Sequence, residues 1–257
     1  MLRKLRVYNC EGIKALPGDW MMMRMDGDNT NSSCVLERVE IGRCPSLLFF
    51  PKGELPTSLK QLIIEDCENV KSLPEGIMLP CNLELLNIVG CSSLDHMHNL
   101  TSRSSLDHMH NLTSLLILGS EGLKFQHHHL QNLTSLERLI IHDCPSLVSF
   151  PEGGLGFASN LRLVQIVNCE NLKTPLSEWG LNWLSSLKNL TIAPGGYQNV
   201  VSFSHDDDDC HLRLPTSLTF IRIGNFQNLE SMASLPLPTL ISLECLIIRD
   251  CPKLQQF

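Results

Sequence analysis

Eleven cysteines, ten histidines and a run of four aspartates are the residues of this 257-residue chain whose types could do chemistry. Thiolates and imidazoles hold zinc, carboxylates hold calcium, and a cysteine beside a histidine can act as a nucleophile. His127, His128 and His129 stand together, and Asp206 to Asp209 precede Cys210 and His211. Zinc needs three or four ligands in tetrahedral directions, which adjacent residues on one loop rarely supply. The acidic run lacks the spaced oxygen ligands and turn glycine of a calcium loop. Both runs read more simply as solvated loops, which leaves a metal-dependent enzyme a remote alternative. No serine sits in a Gly-x-Ser-x-Gly elbow, and no pattern pairs a cysteine with a histidine. The sequence points to no enzyme, no metal and no cofactor.

Seven of the cysteines, Cys10, Cys44, Cys67, Cys91, Cys144, Cys169 and Cys251, fall at one place in a repeating phrase, Leu-x-x-Leu-x-Ile-x-x-Cys-x-x-Leu. A thiol repeated in register is a packing group, not half of a disulfide. It behaves as a small hydrophobe with a weak donor, suited to a tight turn where it can bond backbone carbonyls. Reduced thiols of this kind fit a cytoplasmic setting. Cys34, Cys81 and Cys210 stand outside the phrase, and the expectation for them is inertness.

The phrase starts near residues 2, 36, 59, 83, 112, 136, 161, 187, 218 and 243, mostly at intervals of 23 to 26 residues. Longer intervals, 34 after Leu2, 29 after Leu83 and 31 after Leu187, mark insertions. A leucine spacing of three followed by alternation is the sign of a short strand entered from a turn. Its recurrence predicts a leucine-rich repeat solenoid over residues 1–257, an α/β repeat horseshoe of about ten coils with a parallel β-sheet on the concave face. Within each phrase the fourth and sixth residues should face inward and the fifth and seventh outward. Proline after the twelfth position, as in Phe50–Pro51, Pro74 and Pro151, disfavours a regular helix on the return stroke, so irregular or 3₁₀ returns are expected. Residues Leu176 to Leu187, with Trp179 and Trp183 among leucines, are the best candidate for a short helix.

Ser92 to Ser102 recur as Ser104 to Ser114, so the His-Met-His triplets at 96–98 and 108–110 are one duplicated feature. Asn-x-Ser/Thr at Asn31, Asn99, Asn111, Asn132 and Asn189 is largely repeat text, since the N-terminus has no secretory signal. No apolar run is long enough to span a membrane, and a net charge of −7 disfavours nucleic acid. Neither terminal phrase carries a polar cap, which predicts a part of a longer receptor and poor solubility of the part alone.

Leu-Pro-Thr-Ser-Leu leads into a strand at Leu55–Leu59 and Leu214–Leu218, and Cys-Pro-Ser-Leu-Val-Ser-Phe-Pro-Glu-Gly-Gly-Leu spans Cys144–Leu155. With Leu243-Glu-Cys-Leu-Ile-Ile-Arg-Asp-Cys-Pro-Lys-Leu254, these phrases resemble the repeat region of plant intracellular nucleotide-binding leucine-rich repeat disease resistance proteins, in particular the coiled-coil branch. The resemblance implies recognition of a pathogen effector or a modified host protein, and restraint of a nucleotide-binding switch domain. No Gly-x-x-x-x-Gly-Lys-[Ser/Thr] loop occurs, so nucleotide binding is assigned to no residue here. An F-box-type substrate adaptor of a ubiquitin ligase also carries cysteines in such repeats. It remains the alternative, although no F-box precedes the repeats and the prolines argue against it.

The ligand face of such a solenoid is the set of outward strand residues. The candidates are Lys4, Arg6 and Tyr8; Arg38 and Glu40; Gln61, Ile63 and Glu65; Arg138, Ile140 and His142; Gln165 and Thr191; and Phe220, Arg222, Ile247 and Arg249. Hot spots are few on any interface, so most of these are expected to be merely solvated. Ile63, Leu85, Leu116, Ile140, Leu163, Phe220 and Ile247 share that side, and a contiguous apolar strip there would mark a partner's footprint. Separate apolar spots, or cover from a neighbouring domain, would explain the same residues.

Overall fold

The computed structural model describes residues 2–16, 35–48, 55–71, 82–94, 109–124, 133–193, 195, 197, 200–203 and 212–256. His127 to His129, Asp206 to Asp209, His211, Cys34, Cys81 and Cys210 lie outside these residues. So do Phe50, Pro51, Pro74, Asn31, Asn99, Asn132 and all of the duplicated block except 92–94 and 109–114.

Ten strands of five residues form one parallel sheet in chain order: β1 Lys4–Tyr8, β2 Arg38–Gly42, β3 Gln61–Glu65, β4 Leu85–Val89, β5 Ser114–Leu118, β6 Arg138–His142, β7 Leu163–Val167, β8 Asn189–Ala193, β9 Phe220–Gly224 and β10 Cys245–Arg249. Every strand pairs with its sequence neighbours, like position against like position, as in Leu62↔Leu86 and Ile64↔Ile88. The cause is the strict phrase: a slip of one residue would turn each leucine to the solvent face. The fourth and sixth residues are buried on all of β2 to β9, and with the leucines at positions one and twelve they form one continuous core.

Turns frame the strands. On entry to β3 and β5 to β10, the amide at position one donates to the carbonyl three residues earlier, as Leu59 does to Pro56 at 2.9 Å and Leu187 to Leu184 at 3.0 Å. On exit, the twelfth-position amide donates to the cysteine carbonyl, as Leu147 does to Cys144 at 3.2 Å. All seven in-register thiols donate to the carbonyl two residues before them, at 3.2–3.5 Å. Ser120 holds the equivalent place after β5, fully buried.

Just before each in-register cysteine, and before Ser120 and Phe226 at the same place, the chain crosses into the left-handed region. Asn9, Arg43, Asp66, Gly90, Gly119, Asp143, Asn168, Asn225 and Asp250 all have φ between 50° and 66°. Glycine, asparagine and aspartate tolerate that conformation, which explains eight of these nine identities. Arg43 is the exception. The lead-in serine also acquires a role, because Ser58 donates to the Leu36 carbonyl at 2.9 Å and Ser217 to that of Leu187 at 2.7 Å.

The described returns contain no α-helix, and three 3₁₀ segments occur, at Leu176–Trp179, Leu181–Trp183 and Leu237–Thr239. The stretch singled out as a short helix is therefore two 3₁₀ turns, broken where Gly180 adopts φ 68°. Its anchor is Trp179, buried and donating from Nε1 to the Thr174 carbonyl at 3.0 Å. Tyr197 Oη lies 3.2 Å from the same nitrogen and itself donates to Thr174. Trp183, by contrast, is 70% exposed.

Candidate protein-binding face

Positions three, five and seven of each repeating phrase, the first, third and fifth residues of its strand, point away from the core, and in-register pairing stacks them into three columns across the sheet. Strands about 4.8 Å apart carry each column over all ten coils. All seventeen candidate residues lie in these columns, but they fall into zones and not all are accessible.

The first zone is ionic. Glu40 on β2 has a side chain only 5% exposed, beneath Lys4 (3.1 Å), Arg6 (2.5 Å) and Arg38. Desolvation pushes its carboxyl up, but hydrogen bonds from Lys4, Arg38 and Arg6 outweigh that and hold it below the ordinary carboxylate range. Arg38 also donates to Gln61 Oε1 at 2.5 Å. The Tyr8 ring crosses over Gly42, where a Cβ would sit 2.4 Å from the ring, and its hydroxyl donates to Glu65 at 3.5 Å.

The second zone is apolar. Leu85 and Val89 on β4, Leu116 and Leu118 on β5, Ile140 on β6 and Leu163 and Val167 on β7 are all half-buried on the outward side. Register places Leu116 beside Ile140 and Val89 beside Leu118, so these four form an apolar strip across β4 to β6, whereas Leu85 pairs with Gln61 and Ser114, Leu163 with Arg138 and Asn189, and Val167 with His142 and Ala193. The seventh-position members, Val89, Leu118 and Val167, were absent from the sequence candidates, although the repeat position alone marks them. His142 interrupts the strip. Burial pushes its imidazole below the ordinary value, against the opposing pull of Asp143 and Gln165, and its Nε2 has no hydrogen-bond partner among the described residues.

The third zone, on β9 and β10, holds Phe220, Arg222 and Ile247, all half-buried, and exposed Arg249. Phe220 and Ile247 are separated from the central strip by β8, whose outward residues are Asn189, Thr191 and Ala193. Arg138 stands exposed on β6, and Gln165 is half-buried on β7.

Three candidates are covered by their neighbours. Glu40 is 4%, Ile63 7% and Thr191 6% exposed, because on a tightly spaced parallel sheet the side chains of both adjacent strands close over a central position. Glu40 thus organises the cations above it, and Ile63 is buried on the outward face, apart from the core cluster that Leu62 and Ile64 join. Asn189, one of the glycosylation sequons, is half-buried within β8. Among the described residues no three His, Cys, Asp or Glu side chains cluster to hold a metal, and no helix is long and apolar enough to cross a membrane.

No family model matches the chain. The chain is 34% identical, over 99% of its length, to the disease resistance protein At3g14460 of Arabidopsis thaliana, and spans 20% of that relative. Among solved structures, the leucine-rich repeat domain of the type III effector XCV3220 (XopL) aligns with a TM-score of 0.49 at 18% identity, covering 96% of this chain and 76% of that one. The Leptospira interrogans leucine-rich repeat protein LIC12759 aligns with a TM-score of 0.42 at 14% identity, covering 86% and 71%. Ten in-register parallel coils, seven of them with cysteine-closed turns, and almost no helix among the described residues, together with that sequence relationship, make this chain a leucine-rich repeat solenoid homologous to one fifth of a plant disease resistance protein.

Proposed function

We propose that the chain is a protein-recognition module of plant innate immunity, acting in the cytoplasm within a larger receptor, of which residues 1–257 are one repeat domain. It senses a pathogen effector or a host protein modified by one, and it restrains a nucleotide-binding switch domain of the same or a related receptor. The observation that carries this reading is the strip of Val89, Leu116, Leu118 and Ile140, apolar side chains held outward on the face of the sheet opposite the core. Apolar side chains grouped on an outward face rimmed by polar residues suit an interaction site. Binding, not catalysis, is the function that such a face supports, with aromatic and arginine anchors such as Phe220, Arg222 and Arg249 at its margin.

The test is co-purification with the nucleotide-binding domain of the same receptor, repeated with Arg138→Glu, Arg222→Glu and Arg249→Glu and with Leu116→Ser. Loss of the complex in at least one of these folded variants is expected. Undiminished binding across the series would show that the concave face is not the contact.

A further inference from the structure

The chain carries a net charge of −7, yet its concave face has the opposite sign. Across all ten strands the outward columns hold six cations, Lys4, Arg6, Arg38, Arg138, Arg222 and Arg249, and only two carboxylates, Glu40 and Glu65. Five of the six gather at the ends. Three sit around Glu40 on β1 and β2 and two on β9 and β10; the sixth, Arg138, stands exposed on β6 among the outward apolar residues of β4 to β7 that lie between them. Glu40, together with Glu65 on the neighbouring β3 where it accepts from Tyr8, sets two carboxylates against three cations, so this end of the outward face keeps positive charge. Lys4 and Arg6 remain 40% and 57% exposed there, open to a partner's acid.

We propose that the concave face takes a protein segment in which acidic residues flank an apolar stretch. The acids lie over β1–β2 and β9–β10, and the apolar stretch lies over β4–β7. The inference rests on the concave face being the recognition surface, and it adds the chemistry of the partner. Seven strand spacings separate β2 from β9, roughly 34 Å at 4.8 Å each, a distance that roughly ten extended residues cross. A nucleic acid fits this zoning poorly. Its evenly charged backbone would leave phosphates desolvated and unpaired over Leu116 and Ile140.

The experiment uses a phage-displayed library of random twelve-residue peptides selected on the whole chain, with enriched peptides measured by fluorescence anisotropy. Enrichment of sequences with terminal acids and an apolar centre is expected. Their affinity should fall about tenfold in Lys4→Ala/Arg6→Ala and about tenfold in Leu116→Ser, and weaken as salt rises. Glu40→Gln should do the opposite and tighten binding, because it removes the acid that competes for the three cations. A general loss of structure would weaken binding in every variant, so the opposite signs separate charge recognition from misfolding. Binders without acids, lost only in Leu116→Ser, would overturn the acidic partner while leaving recognition by the concave face intact. Selection yielding no binder sensitive to any of these substitutions would overturn both.

Discussion

At the scale of single residues, the recurring cysteine is a thiol kept protonated by its surroundings. Burial pushes Cys91 and Cys144 up to about 12 and Cys169 to about 11, from an ordinary 9.0. A folded-state value above the unfolded one means that the folded chain holds the proton more tightly. The stability these thiols contribute is therefore complete below about pH 9 and is lost as pH climbs towards 11 and 12. Urea midpoints measured from pH 7.5 upward should decline above pH 9, and Cys91→Ser/Cys144→Ser should flatten that decline, since Ser120 already occupies the same place after β5. The residue before the cysteine supplies a second expectation. Arg43 has φ 52° where most other coils use Asn, Asp or Gly, at a cost of about 1–2 kcal/mol. Its exposed pairing with Asp66, at 3.8 Å, offsets little of that. Arg43→Asn should raise stability by about 1 kcal/mol, read as a higher thermal midpoint. The left-handed column was legible in composition, in Asn9, Asp66, Asp143, Asn168, Asn225 and Asp250, but it lies between the conspicuous isoleucine and cysteine and passes as variable text. Coverage of Glu40, Ile63 and Thr191 was not legible, because it depends on side chains from strands more than 20 residues away.

At the scale of elements, strand position and facing follow from the spacing of leucines, since only one register buries them all. The return segments obey no such rule. Leu176 to Leu187 has the apolar density of a helix, yet Gly180 and a close backbone approach decide its form. A Cβ on Gly154 would lie 2.3 Å from the Trp179 carbonyl carbon, and one on Gly180 would lie 2.4 Å from the Gly153 oxygen. Both glycines also have positive φ, so the turn at 151–157 and the 3₁₀ pair at 176–183 fit only without side chains there. Gly154→Ala should destabilise by more than about 2 kcal/mol, the left-handed strain added to the overlap. Chemical denaturation reads this directly, and an unchanged midpoint would show that the two segments are not packed as described.

At the scale of the whole molecule, each strand touches only its neighbours in sequence, so stability is distributed coil by coil. The terminal coils are the weakest, because the inward residues Leu5 and Val7 on β1 and Leu246 and Ile248 on β10 are only partly buried. Hydrogen exchange followed by mass spectrometry should find the slowest amides in β5 to β8 and the fastest strand amides in β1 and β10. Uniform protection would contradict a nearest-neighbour solenoid. Like-against-like pairing has one more consequence, for descent. Adding or deleting a coil would carry everything beyond it along by one step of about 4.8 Å, together with the small rotation that each coil of a solenoid contributes. Unequal crossing-over could thus lengthen or shorten the gap between the two basic ends without inventing a single new side chain, and a lineage could change the size of what it grips before changing any letter of how it grips.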